Sequence, residues 1–310
     1  MDEEAIVCRG VSRRFGTRWA ISGLDLSVPR GHVFGFLGPN GAGKTTMVRM
    51  LIGMLRPTTG SVRVLGRDPV AQGDEVRALC GVMLDNVGLY ERLSAYQNLL
   101  FAARVARLSP KEQRQRVDEA LRRVDLWERR YDRVSGFSKG MRQKLGLARA
   151  LIHDPELLIL DEPTAGLDPA NIVRVRELLV SLAEESGRTI FLSTHLLDEA
   201  QRVCDRVAII QQGRLLVVGE PNKLGTEGIP TVRLTLTGME GGEEKALALP
   251  EGIELAPLGG REWRARMRDL ADTESLVKAL VHAGIGVRAV IPEAVSLEEE
   301  YLRLVGGNNP

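Results

Sequence analysis

Residues 38–45 read Gly-Pro-Asn-Gly-Ala-Gly-Lys-Thr, a match to G-x-x-x-x-G-K-[ST], and they stand between an apolar run and a helical pattern. The run before them is Val33-Phe34-Gly35-Phe36-Leu37. After them, Met47, Met50, Leu51 and Met54 recur at helical spacing over Thr45–Leu55. A strand, a glycine loop and a helix in that order leave few folds open. The glycines let backbone N–H groups turn inward and cradle phosphate oxygens at the positive end of the helix. Lys44 has the reach for β- and γ-phosphates, and the Thr45 hydroxyl can ligate Mg²⁺. Gly38, Pro39, Asn40, Gly41, Ala42, Gly43, Lys44, Thr45 and Thr46 are therefore candidates for holding a nucleotide. The bland alternative, a chance glycine-rich turn, is disfavoured by the strand–loop–helix context.

Further strands are expected at Ala5–Cys8, Leu24–Val28, Ser61–Leu65, Gly81–Leu84, Leu157–Leu160, Thr189–Ser193, Val207–Gln211 and Arg214–Val218. Helical patterns fall at Ala95–Ala106, Pro110–Val124, Lys139–Ile152, Pro169–Glu185 and Leu196–Cys204. Strands alternating with helices predict a mostly parallel α/β sheet covered on both faces. The all-helical stretch from 95 to 152 interrupts the alternation and reads as an inserted helical subdomain. Its segment 110–133, read as helical, carries both signs densely, Lys111, Arg114, Arg116, Arg122, Arg123, Arg129 and Arg130 against Glu112, Asp118, Glu119, Asp125 and Glu128. A basic contact surface and a solvated face laced with i,i+4 pairs are both open, and the second is favoured. Val117, Leu121 and Val124 supply its buried stripe.

At 310 residues there is room for a second, smaller domain. Breakers cluster at Gly219-Glu220-Pro221 and Gly225–Pro230, so the expected division is 1–219, a linker at 220–230, and 231–310. Strands are expected at Val232–Thr237, Arg264–Met267 and Val287–Ile291, with helices at Thr273–Ala283 and Leu297–Leu304. Gly238–Glu244 reads as mere connection. This α+β segment shows no catalytic constellation.

A net charge of +1 gives no global basic field, so no nucleic-acid partner is expected. The 3 cysteines are far apart in the chain and make no metal or redox pattern. They suit small core residues in a reducing compartment. No apolar run approaches membrane-spanning length, and the start Met1-Asp2-Glu3-Glu4 is not that of a signal peptide. A cytoplasmic location is expected, with any membrane role reached through a partner.

Leu157-Leu158-Ile159-Leu160-Asp161-Glu162 is an apolar strand that ends in two carboxylates. Carboxylates beside a core are costly unless paired or near a metal. In P-loop ATPases a carboxylate here holds Mg²⁺ and a neighbour polarises the attacking water. Thr189–Ser193 is followed by Thr194 and His195. Ligands of parallel α/β sheets lie at the carboxyl ends of strands, where the glycine loop, Asp161-Glu162 and His195 all fall. His195 is thereby a candidate γ-phosphate contact.

The string Phe137-Ser138-Lys139-Gly140-Met141-Arg142-Gln143 resembles the signature motif of ABC-transporter ATPases. Ala165-Gly166-Leu167-Asp168 resembles their D-loop and Ser193-Thr194-His195 their switch-histidine segment. The resemblance covers about residues 4–220. The Ser-Lys-Gly-Met form, the single ATPase domain and the appended C-terminal segment are similar to ATP-binding subunits of ABC-2-type exporters of the drug-resistance and sodium-extrusion kind. The resemblance implies an α/β P-loop ABC ATPase domain with an antiparallel β subdomain and a helical subdomain. It implies ATP and Mg²⁺ as cofactors, a homodimer, and an integral membrane permease as partner. The implied location is cytoplasmic, peripheral on the inner face of the cell membrane. A soluble ABC ATPase acting on ribosomes or DNA, or a non-transport regulator, is the alternative. Phe15 then matches the residue that stacks on adenine, Asp161 the Mg²⁺ carboxylate and Glu162 the general base, with Lys44 and His195 stabilising charge. Ser138, Lys139 and Gly140, together with Asp168, would serve nucleotide held across a dimer interface. Asp85 stands where the family usually has glutamine and would approach nucleotide and Mg²⁺ there.

Overall fold

A computed structural model of the chain describes residues 4–224, 230–239, 247, 249–293 and 297–306. The acidic start at 1–3, linker residues 225–229 and most of the Gly238–Glu244 connection lie outside the described residues. The chain divides into two compact units, 1–220 and 221–310.

In the first unit, β3 (Val33–Leu37), β5 (Cys80–Met83), β6 (Leu157–Asp161), β7 (Thr189–Thr194), β8 (Arg206–Gln211) and β9 (Arg214–Gly219) form one sheet in the order β5-β6-β7-β3-β8-β9. All pairs are parallel except β8–β9. Every residue of β3, β6 and β7 is buried, the signature of parallel strands covered on both faces. Helices α1 (Lys44–Leu51), α6 (Pro169–Ser186) and α7 (Leu197–Val203) accompany it.

The long strand β1 (Glu4–Phe15) pairs antiparallel with both β2 (Arg18–Pro29) and β4 (Thr59–Val64), in the order β2-β1-β4. Their inward residues Ile6, Cys8, Val11, Ile21, Leu24, Val28, Val62 and Val64 join Phe34, Phe36, Met47 and Met50 in one core. Only parts of β1 and β2 were expected as strands, because Gly10 and Gly23 and several register shifts break the alternation. Helix α1 is shorter than the sequence pattern suggests. It stops at Leu51, and Met54 lies beyond it, 65% exposed. The break is Gly53, whose φ of 72° and whose contact with the Pro69 carbonyl leave no space for a Cβ.

The helical subdomain comprises α3 (Ala95–Val105), α4 (Pro110–Arg123) and α5 (Lys139–Leu151). Ser94 with Gln97 and Ser109 with Glu112 form capping boxes, and Pro110 occupies the first turn of α4. Leu99, Val117, Leu121, Val124, Leu145 and Ala148 make its own core. The charged segment is not one helix to 133: α4 ends at Arg123, and Trp127–Arg129 form a separate 3-10 turn. Arg122 and Arg130 there lie 3.7 and 4.1 Å from the Trp127 ring centroid. The short helix α2 (Gly73–Leu79) precedes β5.

All three cysteines are buried in the first unit, and desolvation pushes the Cys8 and Cys80 thiols up to about 12 and raises that of Cys204 further. In the second unit β10 (Thr231–Thr237), β11 (Glu254–Gly259), β12 (Glu262–Arg266) and β13 (Gly286–Glu293) form an antiparallel sheet in the order β11-β12-β10-β13. Helix α8 (Asp272–His282) buries Leu276 and Leu280 with Val232, Leu234 and Trp263, and α9 (Leu297–Gly306) follows β13. Among the described residues no helix is long and apolar enough to cross a membrane.

Candidate functional site

The loop from β3 to α1 wraps back across the strand end because two of its glycines have no room for a side chain. A Cβ at Gly38 would stand 2.3 Å from the Ile210 carbonyl oxygen. At Gly43, φ is 116° and a Cβ would stand 2.4 Å from the Ala20 carbonyl oxygen. The loop is pinned by Gly38 N–H donating to Thr194 and Gly213 N–H donating to Ala42. It thus lies against the ends of β7 and β8, and Lys44 opens α1 with its side chain buried beneath the loop.

Lys44 Nζ donates to the Gly38 carbonyl at 2.8 Å and lies 3.0 Å from Glu162 Oε1. The other oxygen of Glu162, Oε2, is 2.8 Å from His195 Nδ1. One carboxylate therefore joins the three residues that sequence reasoning singled out as catalytic, drawn from the ends of three neighbouring strands. Glu162 itself has φ 51°, a conformation uncommon for a residue with a side chain. Its N–H donates to the Ser193 carbonyl at 2.9 Å. These two anchors set the carboxylate at the lip of a cleft of about 560 Å³ lined by Phe15, Asn40, Gly41, Thr45, Thr46, Asp85 and His195, among others.

Asp161, fully buried, accepts from the Ser193 hydroxyl through Oδ1, while Oδ2 has no hydrogen-bond partner among the described residues. A buried carboxylate oxygen without a partner, on the strand next but one to the glycine loop and outside the cleft lining, fits a divalent cation. Among the described residues no cluster of three or more His, Cys, Asp and Glu could hold a metal alone. That suits Mg²⁺, which is commonly held by one or two protein oxygens together with substrate phosphates and waters. Asp161 and Thr45 would be those protein ligands.

Phe15 is 48% exposed at the cleft, with the Arg13 guanidinium 4.7 Å from its ring centroid. Arg18 and Ala20, not singled out from the sequence, also line the cleft. Asp85 is exposed there. The turn after it is capped by Asn86, whose Oδ1 accepts from Gly88 N–H at 3.2 Å, rather than by Asp85.

The signature segment lies apart from the cleft lining. Ser138 caps α5 by accepting from Met141 N–H at 3.3 Å. Lys139 is exposed, and Gly140 is closely approached by Asn171 of α6. Asp168 caps α6: it accepts from the Asn171 backbone at 3.0 Å and from its side-chain amide at 2.6 Å. Those bonds hold its carboxyl below the usual carboxylate range. These four residues gather near the starts of α5 and α6, not around Lys44.

Comparison with known proteins follows this geometry. A family model described as ABC transporter matches residues 21–165. The chain is 38% identical to the daunorubicin resistance ATP-binding protein DrrA3 of Streptomyces coeruleorubidus, over 99% of this chain and 97% of that protein. It is 36% identical to the bacitracin transport ATP-binding protein BcrA of Bacillus licheniformis, over 96% of each. Among solved structures, cbiO1 from Clostridium perfringens, part of the ABC transporter complex cbiONQ, has a TM-score of 0.67 and 29% identity. It covers 73% of this chain and 92% of its own. The sequence matches thus run through the second unit as well as the first.

Proposed function

We propose, for a chain that belongs to the family of ABC transporter ATP-binding proteins, that it is the ATP-hydrolysing subunit of an exporter and drives a separate membrane permease. The observation that carries this is the Lys44–Glu162–His195 cluster at the lip of the phosphate loop. It brings a carboxylate, an ammonium and an imidazole to where a γ-phosphate would sit.

In the proposed reaction ATP enters with its phosphates over the N-terminus of α1. Lys44 leaves Glu162 for phosphate oxygens. Glu162 accepts a proton from a water as that water attacks the γ-phosphorus in line with the leaving oxygen of ADP, giving ADP and inorganic phosphate. His195 donates to the γ-phosphate and holds the charge that develops on it. Mg²⁺, held by Thr45 and Asp161 with Asp85 nearby, would supply electrostatic stabilisation to the phosphates. The adenine would stack on Phe15.

Ser138, Lys139, Gly140 and Asp168 would meet nucleotide on a second copy. An exposed helix start favours an anion, and a head-to-tail pair would close over two nucleotides. The names daunorubicin resistance and bacitracin transport, and that of the Nod factor export ATP-binding protein I of Rhizobium meliloti among the relatives, support export as the direction. A groove lined by Tyr90, Phe101, Val105 and Arg149 supports docking of a permease helix between Asp85–Leu93 and the helical subdomain. The protein would then sit at the cytoplasmic face of the membrane through that partner. Nucleotide chemistry is assigned to 1–219, with 220–230 as linker and 231–310 as an accessory domain.

The test is Glu162→Gln, which keeps the shape and removes the base. With Mg-ATP this variant should run as a dimer on size exclusion, while nucleotide-free protein runs mainly as monomer, and turnover should fall by at least about a hundredfold. Hydrolysis at the parental rate would remove Glu162 from its role.

A further inference from the structure

The residue that fixes Glu162 from the far side comes from the helical subdomain. Gln143, in α5, is 4% exposed. Its Nε2 donates to the Pro163 carbonyl at 3.2 Å and lies 3.4 Å from the Glu162 carbonyl. Glu162 is therefore tied at both backbone ends, its N–H to Ser193 of β7 and its carbonyl side to α5. Only a donor serves at this position, since both facing atoms are carbonyl oxygens. The second nearby anchor, the Thr164 hydroxyl donating to Glu199 of α7 at 2.6 Å, holds the loop one residue further on.

The same helix begins at Ser138, five residues before Gln143 and roughly 7 Å away along the axis. Leu145 and Ala148 place α5 in the core of the helical subdomain, while Gly146 and the Ala150 carbonyl press it against Met83 and Gly81 of β5, so α5 bridges the two. Any rotation of the helix shifts the carbonyl to which Gln143 is bonded. Of the two carbonyls, that of Glu162 sits on a residue held at φ 51°, and the shorter bond goes to Pro163, the residue after it.

We propose that Gln143 is a positioning residue that couples the orientation of α5 to the placement of the Glu162 carboxylate. Hydrolysis is then fast only when the helix whose N-terminus engages the second copy's nucleotide is in its closed orientation. This rests on Glu162 being the base, as proposed above. A displacement of the order of 1 Å at a catalytic group costs about a hundredfold in rate.

The experiment compares Gln143→Met, which keeps length without a donor, with Gln143→Lys, which keeps a donor, both in the full chain. Gln143→Met should lower kcat about ten- to hundredfold with KM for ATP within about threefold. Gln143→Lys should recover at least about a third of the parental kcat. In single-turnover measurements on a Glu162→Gln background, the further loss from Gln143→Met should shrink to below about twofold, because there is no base left to misplace. A purely structural amide predicts the opposite pattern: a lower thermal midpoint with parental kcat, or an equal loss in both backgrounds. Either result would overturn the proposal. If Gln143→Met does not fold, Gln143→Asn, one methylene short of the carbonyls, is read by the same criteria. Parental turnover in Glu162→Gln alone would instead sink the assignment of the base and leave the Gln143 bond to be judged by the kcat–KM split.

Discussion

The Glu162 carboxylate faces both Lys44 and His195, so replacing it matters before any chemistry occurs. Lys44 and Glu162 are only 6% and 13% exposed, in a place where phosphate oxygens are expected to compete for the same ammonium. Replacing Glu162 with Gln should therefore tighten ATP binding as well as stall turnover, by roughly tenfold or about 1.4 kcal/mol. A fluorescent-nucleotide titration reads this directly, and unchanged or weaker affinity would show that the pair does not compete with ATP. Asp85 gives a second case. Asn86 caps the turn, and among the described residues a stabilising role for Asp85 has no hydrogen bond to act through. Asp85→Ala should leave nucleotide affinity within about twofold and the thermal midpoint within about 2 °C, while permease-stimulated turnover falls. Asp85→Asn should be intermediate, since it keeps an oxygen and loses the charge. Normal stimulation in Asp85→Ala would return the residue to the status of a solvated loop position.

Each element of the site depends on a specific local signal, and the clarity of that signal decided what could be read from sequence. The glycine loop, the carboxylate-ended β6 and the histidine after β7 were legible because each is a contiguous string in a strand-end context. Their meeting at one carboxylate follows from parallel pairing of β6, β7 and β3. Gln143 lies at the end of the signature-like string, and its role is silent in sequence, since its partners lie 19 and 20 residues away and depend on the angle of α5. Helix α2 escaped notice because it buries a single residue, Val76, and opens on glycine. Strand β11 escaped for a like reason: Leu255 is its one buried residue, and Pro257 and Gly259 erase any alternation. Ser138 shows how an element can serve two ends at once. Its hydroxyl caps α5, so Ser138→Ala should cost about 1 kcal/mol of stability and lower the thermal midpoint by a few degrees. If it also meets a phosphate on a second copy, ATP-driven dimerisation of the Glu162→Gln form should weaken well beyond what that stability loss explains. Analytical ultracentrifugation of Ser138→Ala/Glu162→Gln against Glu162→Gln separates the two contributions.

At the scale of the whole chain, the two compact units divide near residue 220, and all the residues around the cleft belong to the first. A chain ending at Glu220 should bind ATP with affinity within about threefold of the parent, by calorimetry; a folded truncation that binds none would place part of the site beyond the linker. The buried cysteines have a further use in this division. All three thiols sit in the first unit and none in the second, and each is shielded by core packing. A thiol-reactive dye should therefore find the native molecule blank, and its incorporation should advance at the pace at which the first unit opens. Adding ATP should slow that clock by the factor set by ligand occupancy. The molecule thus carries its own spectroscopic gauge of local breathing, readable without inserting any label site.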